Sequence, residues 1–152
     1  MNKNKEGIYG FFDEYYYLSN FYPCDIIYED DNNKVVFKSS EAMFQAFKCP
    51  ERIKEFENLS PKEAKALGRR VKLRDNWEQS KETFMMYCLR SKFDQHEDLK
   101  EKLLQTGDLY LAEENTWGDK YWGTVKGEGK NKLGNLLMQL RFIYQQEKLS
   151  NL

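Results

Sequence analysis

Two spacings of apolar side chains divide the chain. Up to about residue 38 they fall in short β-branched and aromatic runs, and from Ser39 onward they recur three and four residues apart. Residues 8–12, 25–29 and 34–38 read as strands. Asp30-Asp31-Asn32-Asn33, between the last two, is a hairpin turn signal. Ser39 or Ser40 can cap a helix running to about Cys49, stopped by Pro50. Ser60-Pro61-Lys62-Glu63 combines an N-cap, proline at the first helical position and glutamate at the third. That helix ends near Gly68. Asp75 or Asn76 caps a longer helix carrying Trp77, Phe84, Cys88 and Leu89 on one stripe. Another helix spans about 95–105 with Leu99, Leu103 and Leu104, closed by Gly107. The last spans 131 to about 147, with Leu133, Leu136, Leu137, Leu140 and Tyr144 inward. Strands first and helices after predict an α+β fold, predominantly helical, with a small N-terminal antiparallel β-sheet. No repeat or linker interrupts the pattern, and 152 residues fit a single domain over 1–152.

Composition narrows the function. Aromatics reach 15%, too many for a disordered chain, and charged residues make up 32%. No apolar run approaches the roughly 20 residues a membrane helix needs, and residues 1–6 are polar, so a cytoplasmic location is the expectation. The net charge of -1 lacks the basic excess of a general nucleic-acid coat, so any basic site is local. Cys24, Cys49 and Cys88 show no C-x-x-C spacing and read as buried thiols. His96, the one histidine, lies in a polar stretch and reads as a surface residue. Ser-His-Asp chemistry and histidine-rich metal sites are therefore not expected, and neither is a cofactor.

Five stretches could carry chemistry. In Ser40–Lys48, Glu41, Gln45 and Lys48 share one helical face at i, i+4 and i+7, about 10 Å along the axis. Met43, Ala46 and Phe47 take the opposite, core side. An ordinary solvated helix shows the same spacing, so the residues alone leave both readings open. Gly68-Arg69-Arg70-Val71-Lys72-Leu73-Arg74 packs four cations behind a glycine, which suits a phosphate or an ordinary charged loop between helices. Gly127–Lys132 precedes a helix N-terminus, another place for an anion, with Lys130 and Asn131 at its end. The segment 115–123 brings Trp117, Asp119, Tyr121 and Trp122 into one irregular stretch, where aromatics either stack on a heterocycle or pin the loop. Ser19, Asn20 and Phe21 sit in a turn that could hold a ribose or bond its own backbone.

Taken in order, these stretches resemble the NADAR (YbiA-like) family. The resemblance rests on L-S-N-F-Y-P at 18–23, S-S-E-A-M-F-Q-A-F-K at 39–48, G-R at 68–69 and L-R-D-N-W at 73–77. It continues through L-R-S-K-F at 89–93, L-L-Q-T-G at 103–107, L-A-E at 111–113, D-K-Y-W-G at 119–123 and G-K-N-K-L-G-N-L-L-M-Q-L-R at 129–141. It implies an N-glycosidase that splits the bond between ribose C1 and an exocyclic amine. The implied substrates are ribosylamino-pyrimidine phosphates of the riboflavin pathway, or ADP-ribose on guanine, free or in nucleic acid. It implies active-site positions at Glu41, Lys48, Trp77, Asp119 and Trp122, with Arg69 and Asn131 also matching. One departure is visible: Ala42-Met43 stands where many members have His-Tyr.

The chemistry fits those residues. Breaking an N-riboside needs charge stabilised at C1 and a proton delivered to the leaving amine, work that Glu41 and Asp119 can share. A ribosylamine can also open to an imine, which a partly desolvated Lys48 captures as its own Schiff base. Trp77 and Trp122 would clamp the base, while Arg69, Arg74 and Lys130 would hold phosphate. Gln45, Asn131, Ser19, Asn20 and Phe21 complete the expected binding set. A non-catalytic ADP-ribose or nucleotide-binding module would use the same aromatics and cations, with Glu41 and Lys48 incidental. The oligomeric state is not legible.

Overall fold

The computed structural model of the protein describes residues 6–152. In chain order its elements are β1 (Gly7–Tyr9), a 3-10 helix (Asp13–Leu18), β2 (Ile26–Glu29), β3 (Lys34–Phe37), α1 (Ser40–Ala46) and a second 3-10 helix (Pro50–Phe56). There follow α2 (Pro61–Gly68), α3 (Trp77–Gln95), α4 (Glu97–Gln105), β4 (Tyr110–Ala112) and α5 (Lys132–Ser150). The fold is α+β with helices dominant. Contacts group the chain into two compact units: Asn20–His96, and the residues up to Ser19 together with Glu97–Leu152.

In the unit Asn20–His96, β2 and β3 form the expected antiparallel hairpin, with Ile26 opposite Phe37 and Glu29 opposite Lys34. The Asp30 carboxylate closes the turn by accepting the amides of Asn32 (2.8 Å) and Asn33 (2.7 Å). The next element, α1, is the core helix of this unit. Every residue from Ser40 to Ala46 is buried, so there is no solvated face, and the expectation of a single core side is corrected. Ser39 caps it, its hydroxyl accepting the Ala42 amide at 3.1 Å. The Asn20 carbonyl accepts the Glu41 amide (3.1 Å), which has no partner inside the helix. α1 ends at Ala46 rather than Cys49, and Pro50 opens a 3-10 helix instead of merely stopping the chain. α2 begins with the full capping box between Ser60 and Glu63. It lies so close to α1 that a Cβ at Gly68 would stand 1.9 Å from Gln45 Oε1.

In the other unit the N-terminal strand departs from expectation. β1 pairs in parallel with β4, Ile8 opposite Leu111, instead of joining the hairpin in one antiparallel sheet. Three-residue strands carry too little alternation to reveal a partner about a hundred residues away. α5 approaches β4 closely at Gly134, where a Cβ would meet the Leu111 carbonyl at 2.1 Å. Arg141 is buried and donates to Thr106 Oγ1 at 2.9 Å, while the Thr106 hydroxyl donates to the Leu103 carbonyl. That relay fixes the end of α4 against α5.

Candidate active site

Glu41 is 8% exposed and Gln45, one turn on, 4%. Gln45 Nε2 donates to Glu41 Oε1 at 2.9 Å, so the acid is held by its own helix. Lys48 follows one turn later, just past the end of α1, and is half-buried. Burial pushes its amine below the ordinary lysine pKa, and the positive charges of Arg69 and Lys65 act in the same direction. Glu41 and Glu78 oppose the shift by favouring the ammonium. The result is a lysine closer to neutrality than a surface lysine, electrostatically coupled to a buried carboxylate. Such an amine is a usable nucleophile.

Two cations reach this amine from α2 and its C-cap. Arg69 is exposed, and Lys65 lies one turn before it, with Nζ 5.9 Å from the centre of the Phe21 ring. Phe21 is itself 37% exposed. Lys65 was not among the residues picked from the sequence. Its i, i+4 spacing from Arg69 was the available signal, obscured by the denser run that follows Gly68.

Several expected ligands make contacts within the chain. The Asn20 side chain is consumed: Oδ1 accepts the Ser40 hydroxyl (2.8 Å) and Nδ2 donates to Met85 Sδ (3.3 Å). Arg74 anchors the end of α1, its amide donating to the Lys48 carbonyl (2.7 Å) and Nη1 to that of Phe47 (3.3 Å). Its guanidinium also lies 4.4 Å from the Phe84 ring centre. Trp77 is 5% exposed, stacked on Phe84 and tilted against Phe44, so little of its ring is left to clamp a base. Cys49 and Cys88 are buried thiols as expected, whereas Cys24 is half-buried. His96 is half-buried too, its Nε2 2.6 Å from the Asp25 carbonyl.

The remaining expected residues belong to the other unit. Asp119 Oδ1 accepts the amides of Tyr121 (3.0 Å) and Trp122 (2.9 Å), and the Asp119 amide donates to Asn115 Oδ1. The half-buried Trp122 ring packs edge-on against Tyr121. Asn131 is 2% exposed, donating to the Leu111 carbonyl and the Tyr110 hydroxyl and accepting the Glu113 amide. It ties β4 to α5. The anion site expected at the start of α5 is corrected: the Lys132 and Leu133 amides already donate to the carbonyls of Tyr121 and Trp122. Lys130 is exposed, its Nζ 5.5 Å from the Tyr121 ring centre, and half-buried Ser19 donates its amide to the Tyr16 carbonyl.

The NADAR domain matches residues 4–143. The chain belongs to the NADAR family. The N-glycosidase YbiA of Escherichia coli K12 is 42% identical over 139 residues, covering 82% of this chain and 86% of YbiA. The NMR structure of E. coli YbiA superposes with a TM-score of 0.79 at 39% identity, covering 98% of this chain and 89% of that one. A riboflavin biosynthesis protein of Vibrio vulnificus is 34% identical over 142 residues, 90% of this NADAR chain but 37% of that larger protein. Among the described residues no helix is long and apolar enough to cross a membrane, and no group of three or more His, Cys, Asp or Glu could hold a metal ion.

Proposed function

We propose that this protein, a hydrolase of N-glycosyl compounds by family, cleaves a phosphorylated ribosylamine with Lys48 as nucleophile and Glu41 as the proton-handling group. The observation that supports this reading is the half-buried Lys48 amine, pushed toward neutrality by burial and flanking cations and coupled to the buried Glu41. A ribosylamine in its ring-opened form is an imine between ribose C1 and the amine of the base. Neutral Lys48 adds Nζ to C1, giving a tetrahedral carbon that bears two nitrogens. Glu41 carries the two Nζ protons in turn to the departing nitrogen, whose bond to C1 breaks as the Lys48 imine forms. Water then adds to C1, and the imine hydrolyses to free lysine and the sugar aldehyde. The net change is addition of one water across the C1–N bond.

Arg69 and Lys65 are assigned to the substrate phosphate. A phosphate bound there would offset part of the two cations' effect and leave burial, the largest cause, to hold the Lys48 pKa down. The riboflavin name of the Vibrio relative favours ribosylamino-pyrimidine phosphates, with ADP-ribosylated guanine as the second substrate to test. The test is to incubate the protein with each compound and follow base release by chromatography. Release of the pyrimidine amine is expected, and borohydride added during turnover should fix the sugar's mass on Lys48. A folded protein that releases neither base rejects the activity. Release without a trapped adduct leaves an N-glycosidase but removes the lysine from its mechanism.

A further inference from the structure

Gln45 makes one hydrogen bond where its amide could make several. Nε2 donates to Glu41 at 2.9 Å, while Oε1, buried, has no hydrogen-bond partner among the described residues. Buried acceptors without partners are uncommon and costly, so this one calls for a reason. Turning the amide over would remove the donor from Glu41 and set an oxygen against its carboxylate. Oε1 occupies the space a Cβ at Gly68 would fill, 1.9 Å from that position, over the glycine's bare Cα. The bond to Glu41 sets which end of the amide faces the acid, and the bare Cα of Gly68 leaves room for the other end. Nothing larger than hydrogen at position 68 is compatible with that arrangement.

We infer that Gln45 is a positioning residue that holds the Glu41 carboxylate ionised and aimed, and that Gly68 supplies the space the amide needs to reach the acid. The inference deepens the assignment of Glu41 as proton-handling group and rests on that reading for its catalytic consequence only. A donor on one carboxylate oxygen favours the anion, the form able to take a proton from Lys48. Lys48, beyond the end of α1, and the buried thiol of Cys88 on α3 also sense Glu41. Neither substitutes for the amide: one is the group to be deprotonated, and burial raises the other well above the ordinary thiol range.

The experiment uses Gln45→Met, Gln45→Ala, Gly68→Ala and the double variant Gln45→Ala/Gly68→Ala. Three readouts are needed: the Glu41 titration by carboxyl carbon-13 NMR, the melting temperature, and kcat and KM on a ribosylamino-pyrimidine phosphate. Gln45→Met should raise the Glu41 titration midpoint and lower kcat about 10- to 100-fold, the usual cost of losing a residue that orients a reacting group. KM should change much less. Gly68→Ala should melt lower and lose kcat, because its methyl displaces the amide. The double variant opens space for that methyl, with Gln45 Cβ at 3.3 Å, so melting should recover while kcat stays at the Gln45→Ala level. Recovery of kcat together with stability would overturn the inference, as would an unmoved Glu41 titration in Gln45→Met. If the wild-type protein releases no base, the assigned reaction fails, while the NMR titration still decides whether Gln45 controls Glu41.

Discussion

Lys92 offers a quantitative test of the electrostatics invoked for Lys48. It lies in α3, is fully buried, and has its ammonium 5.2 Å from the Phe93 ring centre and 5.5 Å from that of Tyr22. Burial lowers its pKa from 10.5 to about 8, against a smaller opposing contribution from Cys24. At about 1.4 kcal/mol per pH unit, that fall amounts to about 3 kcal/mol of lost stability wherever both states carry the charge. Below pH 8 the folded and unfolded chains are both protonated and the whole penalty is present. Between about 8 and 10.5 the unfolded chain holds the proton that the folded chain has released, so stability rises with pH. Urea unfolding of the wild type and of Lys92→Met, from pH 7 to pH 10, isolates this contribution. The wild type should gain about 2 kcal/mol on the variant by pH 10, because the unfolded lysine is then only partly deprotonated. The comparison stops there because Tyr17 and Tyr28, both raised to about 12 by burial first, make stability fall above pH 10. A difference between wild type and Lys92→Met that stays constant from pH 7 to 10 would refute the reasoning. It would also weaken the same desolvation argument at Lys48.

The other predictions concern the site and its supports. Lys48→Ala and Glu41→Gln should each lower turnover at least 100-fold in a chromatographic base-release assay, with Lys48→Ala abolishing the borohydride adduct. Lys65→Ala removes a positive charge that lowers the Lys48 pKa, so the acid limb of its kcat/KM profile should move to higher pH. Glu41→Gln removes a charge that raises that pKa, so nitrogen-15 NMR of the Lys48 amine should show its titration moving the opposite way. Asn131→Ala should cost about 2–4 kcal/mol in urea unfolding, since it removes the bonds from the start of α5 to the Leu111 carbonyl in β4 and to the Glu113 amide just after it.

The helical part of the fold was legible because its signals are local. The Ser60 capping box, the Ser39 cap and the leucine stripe of α5 each lie within one or two turns of chain. β4 and its parallel pairing with β1 were not, since a three-residue strand takes its register from a distant segment. The two 3-10 helices lack a long enough apolar period to announce themselves. At the site, the Glu41–Gln45–Lys48 spacing was readable, but its meaning was not. The same spacing describes an exposed face, and only the packing of Asn20, Gly68 and Arg74 on α1 makes it a buried one. The internal contacts of Asn20, Arg74 and Asn131 were not legible for one reason: polar residues in loops look alike whether they face a ligand or another part of the chain.

Those contacts change how the site is understood. α1 is only seven residues long, too short to be stable by itself, yet it carries the acid and ends one residue before Phe47 leads into the amine. Each end is secured from outside. Asn20 accepts the Glu41 amide through its carbonyl and the Ser40 hydroxyl through its side chain, while Arg74 donates to the carbonyls of Phe47 and Lys48. These residues touch the backbone that carries Glu41 and Lys48, the groups proposed to react. Loosening either end should therefore spread the Glu41–Lys48 geometry and lower kcat with little change in KM, the opposite of what a lost ligand produces. Asn20→Ala and Arg74→Met, assayed for base release against Arg69→Ala, separate the cases. Arg69→Ala should raise KM for the phosphorylated substrate, whereas the two anchors should lower kcat. If Arg74→Met instead raises KM alone, Arg74 is a substrate ligand after all and α1 is held by something else.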